Sequence, residues 1–267
     1  MFKLKFFLLA LLIAAPLACK PPFNPKDQKL YPTSDKLYEA AMAEYKAGRF
    51  DNAAKAFEQL TLAFSARDPR LPLSYYYLAQ SQAKNGEYLL AAGTYNRLID
   101  AFPQDTLVDD AFFLSGKAYQ HEWRRPQLDP LYGRSAQTAF ESLIASFPDS
   151  PYAPRAKNEL DKLDEWFAEK DYDTGYLYLK RKAYDSAIIY YKDVLTKYAN
   201  SPTARDAAIK LVDAYRRIRY REDASELCTE LRQRFPRDAD VKQTCNGIPD
   251  VVRADSVAVK AAKPPAL

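Results

Sequence analysis

The chain has 267 residues, with 7 glycines, a single histidine and a formal charge of +4 at pH 7. So few glycines argue against a phosphate-cradling loop, one histidine against a histidine-built metal site or triad, and so small a charge against nucleic-acid binding. Tyrosine is abundant, 20 residues against 2 tryptophans, which suits packed helix pairs whose rings are buried while hydroxyls reach water.

Lys3 and Lys5 precede an apolar run from Phe6 to Ala15, followed by Pro16-Leu17-Ala18-Cys19. A basic start, a short apolar segment and a small residue before a cut make 1–18 a secretory signal, and the apolar run is too short to span a bilayer. Leu17-Ala18-Cys19 resembles the end of a bacterial lipobox, with Pro16 where leucine is usual, so a covalent lipid is expected on Cys19. Ordinary cleavage after Ala18 would instead leave a soluble exported protein. Residues 19–33 carry Pro21, Pro22, Pro25 and Pro32 among polar residues and read as an extended, unpacked tether.

From residue 34 the sequence repeats itself. Gly48-Arg49-Phe50-Asp51-Asn52-Ala53 with Phe57 recurs as Gly86-Glu87-Tyr88-Leu89-Leu90-Ala91 with Tyr95, and as Lys182-Ala183-Tyr184-Asp185-Ser186-Ala187 with Tyr191. Ala41, Ala79 and Gly175 each stand at the same distance before Ala53, Ala91 and Ala187. A small residue on a first helix and an aromatic on a second are the marks of tetratricopeptide repeats. A further copy runs from Asp109 through Gly116 to Ala136, Phe140 and Pro148, stretched by about eight residues across Trp123 to Pro130. The last runs from Ala204 to Pro236, with Cys228 in the aromatic position. The stretch from Pro154 to Lys170, with Leu160, Leu163, Trp166 and Phe167 at helical spacing, extends the first helix of the fourth copy. The prediction is an all-α solenoid over 34–246 with repeats at roughly 34–67, 72–105, 109–151, 154–200 and 203–236, followed by a disordered tail at 247–267.

Cys228 and Cys245 are an even pair in an oxidising compartment, and the sequence leaves open whether they bond or stay separate thiols. His121 lacks a partner at ligand spacing, no nucleophile motif is present, and the carboxylate pairs sit where helix starts favour them. The expectation is therefore a protein that is not an enzyme, with no metal and no cofactor beyond the lipid. Tetratricopeptide solenoids bind proteins along the face of their first helices. Counting from the small residue, Tyr38, Tyr45, Lys46, Tyr76, Lys84, Phe113 and Lys117 point into that groove, suited to an apolar peptide and its carboxylate; the same tyrosines could equally pack between repeats. Arg216, Arg217, Arg219 and Arg221 form a basic run suited to an electrostatic contact.

The anchor, the repeats, the insert Gln127-Leu128-Asp129-Pro130, the turn Phe147-Pro148-Asp149-Ser150-Pro151-Tyr152, the segment Tyr176 to Tyr184 and the segment Tyr198 to Ala207 together resemble the BamD family of the bacterial β-barrel assembly machine. The resemblance covers about residues 35–236. It implies an outer-membrane lipoprotein facing the periplasm, with no nucleic acid and no small-molecule substrate. Its N-terminal repeats would receive unfolded outer-membrane β-barrel precursors, and its C-terminal repeats would dock on the POTRA domains of BamA beside other lipoproteins of the complex. Another exported repeat lipoprotein, serving pilus assembly or cell-envelope and division coordination, would share the anchor and the repeats. Cys19→Ser is expected to release the protein into the soluble periplasm or trap its precursor, read by membrane fractionation and an immunoblot.

Overall fold

In four of the five repeats, a small residue on the first helix meets an aromatic ring on the second. A computed structural model describes residues 23–251; the signal segment, Cys19 and the chain beyond residue 251 lie outside the described residues. The first hairpin pairs α1 (Ser34–Lys46) with α2 (Phe50–Ala63), and the second α3 (Arg70–Lys84) with α4 (Tyr88–Ala101). The third pairs α5 (Val108–Glu122) with α6 (Leu131–Ser146), the fourth α7 (Ala153–Lys180) with α8 (Tyr184–Lys197), and the fifth α9 (Pro202–Arg217) with α10 (Arg221–Arg234). A short α11 (Ala239–Thr244) follows. Each helix packs on its neighbours in sequence, so the fold is a tetratricopeptide solenoid.

The core follows the repeat. Ala41, Ala53 and Phe57 are fully buried, as are Ala79, Ala91 and Tyr95 in the next hairpin. In the fourth hairpin a Cβ on Gly175 would lie only 2.9 Å from the Tyr191 ring, so the ring occupies the volume a side chain would need. The fifth hairpin reverses the sizes, with Val212 on the first helix and Cys228 on the second, both fully buried. Cys228 bonds to Cys245, 17 positions further along the sequence, with Cα atoms 5.6 Å apart. Closing a loop of that length stabilises by about 3 kcal/mol in the chain-entropy account. The bond ties α10 to the end of α11.

The insert between α5 and α6 begins inside the core. Trp123 is almost fully buried, packs against Phe167 and Trp166 at 4.7 and 5.4 Å, and fits only because Gly133 lacks a side chain. The 28-residue α7 extends about 42 Å. It buries Ala156, Leu163 and Phe167 against the third repeat, then Ala168 and Gly175 against the fourth.

Two expectations at the chain ends need correction. The tether is not unpacked over its described part. Phe23 and Tyr31 pack on each other at 5.7 Å and on the first repeat, while Tyr31 N–H donates to the Asp27 carbonyl at 2.8 Å in a turn. Two aromatics bury enough surface there to outweigh the proline content that suggested extension. Nor is the tail disordered from residue 247. Arg232 donates to the Ile248 carbonyl at 2.7 Å and pairs with Asp250, Ser225 donates to the Pro249 carbonyl, and Ile248 packs on the core. These partners are remote in sequence and leave no periodic trace.

Arg205 on α9 clasps α11 by two 2.7 Å hydrogen bonds to Asp238, which also caps α11 by accepting from the Asp240 and Val241 amides. The guanidinium first, and those amides next, hold the Asp238 carboxyl down at about 2.

At the turns between paired helices, Gly48 and Gly86 take φ of 72° and 82°, but Lys182 and Arg219 adopt 61° and 63°, a region costly for residues with a Cβ. Lys182→Gly is expected to stabilise by about 1 kcal/mol, raising Tm by about 2–4 °C, and Gly175→Ala to destabilise by about 1–3 kcal/mol through overpacking. Thermal unfolding checks both. Because the Asp238 pKa is lowered on folding, its stabilisation is present above the ordinary carboxylate range and is lost as pH falls through about 2. Asp238→Asn should flatten the acid limb of a stability–pH curve measured by urea unfolding.

Candidate functional site: the face of the first helices

The residues assigned from sequence to a peptide groove form a ladder between successive first helices. The Tyr45 hydroxyl, at the end of α1, hydrogen-bonds the Gln80 side chain of α3. The Tyr76 hydroxyl of α3 donates to Asp110 of α5. Burial first, and this hydrogen bond second, push the Tyr76 hydroxyl far above the ordinary tyrosine range. Lys117 of α5 pairs with Glu159 of α7 at 3.0 Å. Burial would raise the Glu159 carboxyl, but hydrogen bonds from Lys162 and Lys117 outweigh it and hold the pKa below its usual value. Further rungs join Asp35 of α1 to Arg70 of α3 at 2.6 Å and Glu165 of α7 to Thr203 of α9 at 2.7 Å.

Tyr38 packs edge-on against Phe57 and lies beneath the Arg70 guanidinium. Phe113 does not line an open groove. It is buried, stacked on Tyr152 at 5.3 Å and covered by Arg155 at 4.4 Å, because the start of α7 folds over it. Lys46 and Lys84 remain exposed. Of the seven residues, then, the tyrosines and Lys117 tie repeats together, Phe113 belongs to the core, and the two lysines stay exposed.

The rung partners Asp110 and Glu159 escaped the sequence reading, although their spacing carried a signal. Tyr45 to Gln80 spans 35 residues and Tyr76 to Asp110 spans 34, one repeat period. Lys117 to Glu159 spans 42, longer by the length of the insert.

The C-terminal residues divide in the same way. All four arginines are exposed, Arg219 on the turn and Arg221 at the start of α10, but Arg216 donates to the Thr244 carbonyl at 3.4 Å and Arg217 lies 3.7 Å from Asp213. Beside them, α8, α9 and α10 enclose a groove of about 850 Å³, with Leu195, Leu211 and Leu227 within and Asp223, Glu226 and Glu230 among its lining. His121 is exposed and stacks flat on Tyr88 at 4.4 Å. Among the described residues no cluster of histidine, cysteine and carboxylate side chains could hold a metal, and no helix is long and apolar enough to cross a membrane.

A ladder of polar rungs along stacked hairpins defines a tetratricopeptide-type repeat scaffold. Residues 32–231 match the YfiO family of outer membrane lipoproteins, and the chain belongs to that family. Relatives include the outer membrane protein assembly factor BamD of Caulobacter vibrioides, 26% identical over 57% of this chain and 50% of that one. The BamD of Neisseria gonorrhoeae is 26% identical over 70% and 74%. The chain thus spans half the length of the first relative and about three quarters of the second. Among solved structures, the TPR2AB-domain:pHSP90-complex of yeast Sti1 matches at 16% identity, covering 79% of this chain and 81% of that one at a TM-score of 0.40.

Tyr76→Phe removes a half-buried hydrogen bond to a charged partner and should destabilise by about 1.5–3 kcal/mol; urea unfolding measures it.

Proposed function

We propose that this protein is an assembly factor for outer-membrane β-barrel proteins, held by a lipid on Cys19 at the periplasmic side of the outer membrane. The family match across residues 32–231 carries the reading, together with relatives named for this role. The N-terminal repeats receive segments of unfolded barrel precursors. Lys46 and Lys84, exposed at the ends of α1 and α3, supply the positive charge for a peptide carboxylate. The rungs beneath them keep the two lysines on a preorganised surface, which lowers the ordering cost of binding. The C-terminal repeats dock on the POTRA domains of BamA, with the groove between α8 and α10 as the contact, and the other lipoproteins of the complex join there. The work is binding and placement, with no covalent step.

Crosslinked co-purification from detergent-extracted membranes tests the reading. BamA and barrel precursors should be recovered together, and their absence from otherwise intact complexes would overturn it. Lys46→Ala with Lys84→Ala should weaken capture of a synthetic precursor C-terminal peptide severalfold without changing Tm. Unchanged capture would remove these lysines from the site.

A further inference from the structure

The two edges of the solenoid differ in charge and polarity. Successive first helices run side by side in the same direction. Asp35–Arg70 joins the starts of α1 and α3, and Tyr45–Gln80 joins their later turns. Thr203 at the start of α9 meets Glu165 midway along α7, so the second half of α7 runs level with α9. The five turns within the hairpins, at 47–49, 85–87, 123–130, 181–183 and 218–220, therefore lie along one edge, and the turns between hairpins along the other. The first set holds six arginines and lysines against two acids; the second, at 64–69, 102–107, 147–152, 198–201 and 235–238, holds two against four.

Exposed apolar side chains follow the charge. Of eleven large hydrophobic residues exposed among the described residues, five stand in or within three residues of the turns of the first edge, Leu89 and Leu90, Leu128 and Leu131, and Tyr220, and Tyr176 and Leu177 lie about one helical turn before the fourth. The described chain starts on the first repeat, where Phe23 packs on Tyr31 and both pack on its core; Cys19 is four residues before Phe23, a reach of at most about 14 Å.

The geometry points to this edge as a surface that lies against an anionic lipid bilayer, its arginines and lysines at the headgroups and its leucines and tyrosines in the interface. Basic residues interleaved with leucine and aromatic side chains are what such a surface favours. A single tether fixes a distance and leaves rotation free; an edge contact fixes the orientation and turns the face of the first helices sideways to the membrane. The inference relies on the lipoprotein reading only for how the protein reaches the bilayer.

The test uses the purified full lipoprotein with single cysteines carrying an environment-sensitive dye, at Leu128→Cys and Tyr220→Cys on the proposed edge and at Arg67→Cys and Asp149→Cys on the opposite one. On phosphatidylethanolamine–phosphatidylglycerol vesicles with headgroup quenchers, the first two should shift to the blue and be quenched, and the second two should not. The contrast should disappear on phosphatidylcholine vesicles, in about 1 M salt where screening is nearly complete, and in the triple variant Arg124→Glu, Arg125→Glu, Arg181→Glu. Flotation with phosphatidylcholine vesicles reports the lipid alone, so failure of the anchor and failure of the edge are read separately. Equal quenching at all four positions, or none at the first two, would overturn the inference; the second result would leave the edge for an acidic protein partner.

Discussion

Everything in this molecule depends on how closely two helices of one hairpin can approach. Where a first helix presents Ala41, Ala79 or Gly175, the second brings Phe57, Tyr95 or Tyr191 into the space, and the ring is completely or almost completely buried. A buried ring of this size dominates local packing, so this contact anchors each hairpin. Because the contact recurs, hairpins stack with their first helices aligned, and only that alignment lets side chains one repeat apart meet. The rungs from Tyr45, Tyr76 and Lys117 are consequences of the interlock.

Departures from the repeat are each compensated by another device. Where Cys228 stands in place of an aromatic, a disulfide to Cys245 and the Arg205–Asp238 clasp hold α11 against the last hairpin. Where the third repeat is lengthened, Trp123 fills the widened space against Gly133 and Phe167. The solenoid keeps a continuous core through both irregularities, as a stack of mutually dependent repeats must.

The same alignment bears on function. Residues that look like ligands on a helical wheel are partly consumed in joining repeats, leaving a stiff face with Lys46 and Lys84 exposed. It also collects the turns on two edges of opposite charge, a pattern invisible within any one repeat.

Composition and periodicity by themselves determined the helical class, the number of hairpins, the insert and the long α7, because small and aromatic residues at a fixed offset are local signals that any stacked hairpin must carry. They placed Tyr38, Tyr45 and Tyr76 on first helices, where the structure has them in contact with the next repeat. They did not separate residues that stay exposed on the first helices from residues that meet the next repeat, since both follow the same helical spacing. Only the tertiary structure decided that Phe113 is covered by Arg155, that Phe23 and Tyr31 fold back on the first repeat, that residues 247–251 are packed, and that Cys228 reaches Cys245. Each of these depends on a partner far away in sequence, and which partner arrives is settled by helix packing rather than by the pattern of any one segment.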